Sequence, residues 1–270
     1  MRALILKSKK YLVAAGYPLA ATFVALLLWT AIVWVFEFPE WFLPTPLVII
    51  EELILSGFNL LPDAWITLVE TMLGFLLAII LGFAVAILLV WSVPVKRSIL
   101  PLLVFLQTLP KIAIAPLFII WFGFGILSKV IMAFLVCFFP IVINTSVGLA
   151  SVESEMMDLI KSMAATKRQT FIKVRIPNAL PYFFTSLKIA ITLALIGAIV
   201  GEFVGGEAGL GYQIIMANAR MNAPKLFAII LILGFLGAGL FYIISGLERF
   251  FIPWKPTGEV GRTITTGTTM

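Results

Sequence analysis

The sequence predicts an all-α membrane protein with about six transmembrane helices and both termini in the cytoplasm. Hydrophobic residues make up 62% of the chain and charged residues 12%, whereas soluble domains carry about 25% charged residues. The apolar residues form long runs, and a helix needs a run of about 20 to cross the hydrocarbon core of a bilayer. Lys and Arg are concentrated between alternate runs, which is the distribution that membrane insertion produces.

Six apolar segments are long enough to span the membrane, where a backbone must satisfy its own hydrogen bonds by forming a helix. They are residues 18–36, 64–91, 99–122, 127–149, 178–203 and 225–251. The second is long enough to tilt or to extend beyond the bilayer. The first follows a basic tail, residues 1–17, but its run is too long for a signal peptide and no small-residue cleavage site follows it. We therefore expect an uncleaved anchor.

The charges orient these helices. Segment 37–63 carries five acids and no cation, and loop 204–224 carries one cation, Arg220. The N-terminal tail, the loops after the second and fourth spans, and the C-terminal end are basic. Because cytoplasmic loops are the ones that retain Lys and Arg, segment 37–63 and loop 204–224 lie outside. The net charge of +6 is explained by this distribution, so it does not indicate nucleic-acid binding.

The composition of two connecting segments and of the C-terminal tail predicts their structure. Residues 47–55, in the Pro-rich segment before the second span, form either a short helix on the outer surface or a plain ordered loop. Loop 204–224 contains GGEAGLGYQ, whose four glycines predict a flexible or close-packed re-entrant turn. Residues 255–270 are polar and predict a disordered cytoplasmic tail.

The composition argues against chemistry in this chain. There is no histidine, the commonest general base and metal ligand. The single cysteine, Cys137, excludes an intramolecular disulfide. No G-x-x-x-x-G-K-[ST] phosphate loop occurs. We expect no catalytic residue, no metal site and no cofactor, and a membrane enzyme is the least favoured class.

The loop at 151–177 is basic, polar and patterned as helix. Apolar residues recur at helical spacing at Met156, Leu159, Ile160 and Met163. A second helical stretch covers about 167–175, and Pro177 predicts a boundary at Ile176, with an elbow at Pro181 before the fifth span. Such an amphipathic helix either docks into a groove of a cytoplasmic protein or lies on anionic lipid.

The loop resembles the signature loop of the inner-membrane permeases of bacterial ABC importers. That pattern reads Glu-Ala-Ala, three residues, Gly, nine residues, Ile-x-Leu-Pro. When that pattern is aligned with this sequence at Pro177, its second half matches. In the first half this sequence has Asp in place of Glu, bulky residues in place of the two alanines, and Ala164 in place of Gly. The turn geometry at Ala164 is therefore left open. The resemblance implies that the residues coupling to an ATPase are Asp158, Leu159, Ile160, Met163, Ala164, Val174, Ile176 and Pro177.

Further segments resemble the branch of this family that takes up nitrate, sulfonate, taurine and thiamine precursors. They are PTPLVIIEEL, LPKIAIAPLFIIWFGFGILSKV, FFPIVINTSVGL, GEFVGGEAGLGYQI and LERFFIPW. The resemblance covers about 44–254 and implies the type I importer architecture. The permease domain would be residues 18–254, with a core at about 62–250 and a coupling loop at 151–177.

The same resemblance implies partners. They are two cytoplasmic ABC ATPases that bind ATP and Mg, a second permease subunit in a homodimer, and an extracytoplasmic binding protein, all at a bacterial inner membrane. The glycine-rich turn at 205–211 would then line the outer gate, receive the binding protein, or be only a close-packed turn. The alternative is a self-sufficient secondary transporter or channel, which six spans would also allow.

Polar side chains within the spans are candidates for the translocation path, because a charge in a span costs about 2.5–3.5 kcal/mol. The candidates are Gln107, Thr108, Lys111, Asn144, Lys188, Thr192 and Glu202. Simpler explanations stay open: Lys111 marks a helix break after Pro110, Lys188 snorkels to the cytoplasm, or Glu202 meets water. The substrate is either an anion that uses Lys111 and Lys188, or a pyrimidine-, thiamine-precursor- or riboflavin-like heterocycle that uses phenylalanines.

Overall fold

The computed structural model describes residues 2–254, with side chains from residue 16 onward except that of Pro18. The predicted tail at 255–270 lies outside the described residues. Within the described range the chain forms helices and no strand. The helices are α1 (Arg2–Val35), α2 (Pro46–Trp91), α3 (Val93–Thr108), α4 (Lys111–Phe122), α5 (Ile126–Ala150), α6 (Ser154–Ser162), α7 (Lys167–Thr170), α8 (Ile176–Gly205), α9 (Leu210–Ala219) and α10 (Ala223–Phe251), and a π-helical turn, Phe171–Arg175, joins α7 to α8.

Most of the predicted spans are present as long apolar helices. Four helices among the described residues are long and apolar enough to cross a membrane: α2, α5, the continuous helix Lys167–Gly205, and α10. The third predicted span is a bent pair, because α3 and α4 meet at an angle of 96°. The first lies in α1, whose apolar part, Leu19–Val35, is a shorter helix. The all-helical membrane fold is therefore confirmed.

Helix α2 resolves the question left open at residues 47–55. Pro46 is its first residue, a position that proline favours because the missing N–H has no helical partner there. The helix then runs through Pro62 to Trp91. Its 46 residues span about 70 Å at 1.5 Å per residue, more than twice the hydrocarbon thickness of about 30 Å. Residues 47–55 are thus the first turns of α2, neither a separate helix nor a loop.

The core lies where α2, α5 and α8 pack together. Buried Phe75, Cys137 and Ile191 come from these three helices in turn. Close approach depends on small residues, as in other membrane bundles: a Cβ added at Gly197 of α8 would lie 2.7 Å from the Cα of Ala133 in α5. Helix α5 is therefore the central element, held between α2 and α8.

The boundary predicted at Ile176 is only a change of helix type. Arg175 and Ile176 both keep right-handed helical backbone angles, and the chain stays helical from Lys167 to Gly205. Proline lacks the N–H that an α-helix needs. The π turn at Phe171–Arg175 lies just before Pro177, and its last bond runs from the Ile176 N–H to the Phe171 carbonyl. Helix α8 also continues through Pro181, so the predicted elbow does not end it.

Candidate functional site

Helix α6 presents an apolar surface that no described residue covers. Met156, Leu159 and Met163 are 46%, 55% and 73% exposed, and we call these three side chains the coupling face. Ile160, which the sequence placed in the same stripe, is 8% exposed and packs inward. The structure therefore divides the predicted stripe: one residue anchors the helix and three face the surrounding space.

The turn after α6 closes around an alanine in the left-handed region. Ala164 has a φ of 55°, a conformation that costs an L-residue about 1–2 kcal/mol and glycine almost nothing. The N–H of Ala165 donates to the carbonyl of Ile160 at 3.3 Å and that of Ala164 to the carbonyl of Lys161 at 2.9 Å. The turn thus has the geometry of a glycine-terminated helix, and Ala164 adopts the conformation that the Gly of the resembled pattern would favour.

The second half of the loop is fixed by capping and by a contact to α5. The Thr166 N–H donates to the side-chain oxygen of Gln169 at 2.8 Å, and the Gln169 N–H donates to the Thr166 hydroxyl at 3.3 Å, which is a capping box. The side-chain amide of Asn178 donates to the Gly148 carbonyl and to the Ser151 hydroxyl, each at 3.0 Å. Predicted coupling residues Val174, Ile176 and Pro177 are half-buried in this continuous helix.

Three path candidates meet at the break between α3 and α4. Gln107 and Thr108 are exposed and Lys111 is half-buried. The Lys111 ammonium donates to the carbonyl of Gln107 at 3.3 Å and lies 5.3 Å from the ring centroid of Phe139. The bend of 96° therefore gathers polar groups and freed backbone carbonyls at one place, which we call the α3–α4 break.

The remaining candidates on α5 and α8 are engaged within the protein. The Asn144 amide donates to the Pro140 carbonyl at 3.0 Å and the Thr192 hydroxyl to the Ile189 carbonyl at 2.8 Å, both within their own helices. Lys188 forms an ion pair with Glu248 of α10 at 2.6 Å, and the two side chains are 20% and 10% exposed. Lys188 therefore binds a neighbouring helix.

Glu202 is the centre of a hydrogen-bonded network that holds the glycine-rich turn. It is 1% exposed, and its carboxylate accepts from the Thr67 hydroxyl at 2.7 Å and from the Gly211 N–H. Asp63 accepts from the Gly209 N–H at 2.8 Å and from the Gln213 amide at 2.9 Å. These contacts tie α2 and α8 to α9. We call the six residues that make them the outer lock: Asp63, Thr67, Glu202, Gly209, Gly211 and Gln213.

The glycines of this turn are required by the carboxylate. Gly209 has a φ of 104°, which side chains rarely adopt, and a Cβ at Gly209 or Gly211 would collide with the Glu202 carboxylate. The predicted re-entrant turn is thus a close-packed turn that leads into α9.

Two buried charges beside this network were missed from the sequence. Glu70 is 2% exposed and interacts with Glu202 and Lys129, and Lys129 is 4% exposed, its ammonium donating to the Phe124 carbonyl. Both lie within predicted spans, and a charge inside a span is the signal that should have singled them out.

The fold and family are shared with known permeases. A family model described as "Binding-protein-dependent transport system inner membrane component" matches residues 74–255. The formylaminopyrimidine transport permease protein ThiX of Halalkalibacterium halodurans is 41% identical over 79% of this chain and 86% of its own length. The putative aliphatic sulfonates transport permease protein SsuC of Bacillus subtilis is 33% identical over 80% of this chain and 79% of its own. The riboflavin transport system permease protein RibX of Chloroflexus aurantiacus is 36% identical over 59% of this chain and 60% of its own.

A solved structure shows the same fold. A chain of the MetNI methionine ABC transporter, in an inward-facing conformation, aligns with a TM-score of 0.64 and 19% identity over 72% of this chain and 97% of that one. These findings replace the alternative of a self-sufficient transporter or channel. The resemblance found in the sequence is confirmed: this protein is a multi-pass permease subunit of an ABC importer and belongs to the family of binding-protein-dependent transport system inner membrane components.

Proposed function

We propose that two copies of this permease form the path of an ATP-driven importer for a small nitrogen heterocycle of the pyrimidine class, delivered by an extracytoplasmic binding protein. The observation that carries the proposal is the coupling face of α6. The energy for transport must come from ATP hydrolysis in another chain, because the sequence contains no phosphate-binding loop.

The coupling face suits an ATPase groove. It projects three large apolar side chains, two from the nine-residue helix α6 and Met163 from its C-cap, on the side where Lys and Arg place the cytoplasm. An amphipathic helix that binds a groove presents anchors at this spacing, and its buried Ile160 together with the capping box fixes the orientation of the loop. A force applied to α6 would therefore reach the spans instead of being absorbed by a slack loop.

The path itself would run along the α3–α4 break. Gln107 is exposed in a span, where lipid offers no partner for its amide, and the exposed Thr108 hydroxyl donates to the Phe105 carbonyl at 2.7 Å. A second permease facing this surface would enclose it and provide a water-filled route. Support for a dimer comes from the family, whose importers contain two permease subunits.

The lysines within the spans favour a neutral heterocycle over an anion, because most of them already have partners in the protein. The Lys188 charge is matched by Glu248 at 2.6 Å, and buried Lys129 donates to a backbone carbonyl beside Glu70. Only Lys111 remains at the α3–α4 break, over an aromatic ring. The relatives named for formylaminopyrimidine and riboflavin are 41% and 36% identical, and the sulfonate relative is 33% identical.

The test compares two Asp substitutions on α6 in the native host. Leu159→Asp places a carboxylate on the coupling face, and Ser154→Asp adds the same charge on the opposite side, in the first turn where Asp is tolerated. Burying an unpaired carboxylate costs several kcal/mol, so we expect the Leu159 variant to retain about 100-fold less ATPase on co-purification and to lose uptake. The Ser154 variant should resemble the wild type.

The outcomes separate the two parts of the proposal. Unchanged ATPase retention in Leu159→Asp would show that docking occurs elsewhere. Uptake assays with labelled formylaminopyrimidine and labelled taurine address the substrate class. Taurine uptake that depends on this permease, with no pyrimidine uptake, would refute the heterocycle while leaving the coupling face intact.

A further inference from the structure

A cavity of about 430 Å³ lies between the cytoplasmic end of α2 and the coupling loop. Its walls include the aromatic rings of Trp91 and Phe171, whose centroids are 5.2 Å apart. Three cations line it, Lys161, Lys167 and Arg175, and no acidic residue does. The cavity therefore combines an apolar, aromatic floor with a strongly positive rim.

Two of the three cations have no carboxylate partner in the described part of the chain. Lys161 pairs with Asp158 at 2.8 Å, whereas neither Lys167 nor Arg175 forms a salt bridge with any described residue. Arg175 is half-buried and lines the cavity. Arginine and lysine placed in this way match a phosphate group, which offers several strong acceptor oxygens.

The residues around the cavity indicate that it lies at the level of the lipid head groups. Trp91 is the last residue of the membrane-spanning helix α2 and is 57% exposed, and tryptophan prefers the membrane–water interface. Lys96 and Arg97 follow directly, which identifies this end as cytoplasmic. A phosphate that reached the rim from the membrane would leave its acyl chains beside the apolar end of α2.

The cavity also faces away from the surface proposed for the ATPase. Met157 and Lys161 line the cavity, and successive helical residues are rotated by about 100°. These two positions therefore point more than a quarter-turn away from the coupling face of α6. We propose that this cavity binds the phosphate head group of an anionic phospholipid of the inner leaflet, which braces the coupling loop against the membrane.

The test uses native mass spectrometry of the full-length permease in detergent, titrated with phosphatidylglycerol or with phosphatidylcholine of identical acyl chains. The variant Lys167→Gln/Arg175→Gln removes two rim charges. The matched control Arg168→Gln/Lys173→Gln removes two exposed charges from the same segment that do not line the cavity. We expect the first variant to bind phosphatidylglycerol about 30-fold more weakly and the control to bind it as the wild type does.

Other results would overturn the proposal. One is an equal loss of phosphatidylglycerol affinity in both double variants, and another is equal binding of phosphatidylcholine. A third is displacement of the lipid by inorganic phosphate at the lipid's own concentration. A fourth is loss of ATPase retention in Lys167→Gln/Arg175→Gln with lipid binding unchanged. The last would assign the cavity to a protein partner. Should the double variant fail to fold, Lys167→Gln alone, at an exposed position, should still weaken lipid binding about fivefold, and an unchanged affinity there would equally refute the proposal.

Discussion

Removal of the Glu202 carboxylate should destabilise the protein by opening the outer lock. In Glu202→Ala the Gly211 N–H loses its acceptor in a buried place, because it donates to the Glu202 carboxylate and Gly211 is itself buried. An orphaned buried donor costs about 1–3 kcal/mol. The Thr67 hydroxyl keeps a partner, because its proton can turn from Glu202 to the Asp63 carbonyl, which lies 3.1 Å away, so it adds no second penalty.

The cavity left by the missing carboxymethyl group brings the expected loss to about 2–4 kcal/mol. Glu202→Gln is the matched control. It preserves shape, its amide oxygen can accept from the Gly211 N–H, and its amide nitrogen can donate to the Thr67 oxygen once that hydroxyl turns to Asp63. We expect this variant to lose no more than about 1 kcal/mol.

The single cysteine supplies the assay. Cys137 is the only cysteine of the chain and is completely buried in the core, so a thiol-reactive fluorophore reports unfolding without an introduced label. In a thermal scan in detergent, Glu202→Ala should unfold about 5–10 °C below the wild type, and Glu202→Gln within about 3 °C of it. Wild-type behaviour of Glu202→Ala would refute the outer lock as a stabilising network. Equal losses in both variants would show that charge matters more than hydrogen-bond geometry.

Two further predictions concern the coupling loop and the α8–α10 contact. Ala164→Gly should slow amide hydrogen exchange in α6, because it relieves about 1 kcal/mol of left-handed backbone strain. The control Ala165→Gly, at an ordinary φ, should accelerate that exchange. Faster exchange in both variants would contradict the strain argument. Glu248→Met should destabilise the protein by about 3 kcal/mol in the same thiol assay, because it leaves the Lys188 ammonium, whose side chain is 20% exposed, without the carboxylate that it pairs with. Adding Lys188→Met should recover the part of that loss that the unpaired ammonium causes; additive losses would mean that the ion pair contributes little.

The spans and their orientation could be predicted because both signals are local. Hydrophobic runs show where helices cross, and the cations show which ends face the cytoplasm. The same signals did not show where α2 begins, because the predicted span starts at residue 64 and the helix at Pro46. The helix instead continues unbroken from Pro46, because hydropathy marks where a helix crosses the bilayer, not where its backbone hydrogen bonds begin.

The partners of the polar residues could not be predicted in the same way. Lys188 and Glu248 are 60 positions apart, and Thr67 and Glu202 are 135 apart. Which side chains meet depends on the rotation of each helix about its axis, and a nearly uniform apolar sequence leaves that rotation undetermined. Glu202 was a candidate because it is charged within a span, but its role as the acceptor for the Gly211 N–H arises only when α9 folds back onto α2 and α8.

The continuity of α8 connects the two ends of the molecule. The helix from Lys167 to Gly205 begins beside the coupling face and ends at the outer lock, with Glu202 in its last turn. A helix that kept the break expected at Ile176 would let the coupling loop swing without moving the outer end. We predict that an axial or tilting displacement of the start of this helix moves Glu202, and with it the turn at Gly209 and Gly211. The π turn before Pro177, in which the Ile176 N–H donates to the Phe171 carbonyl, keeps the helix continuous up to a residue that has no N–H to donate.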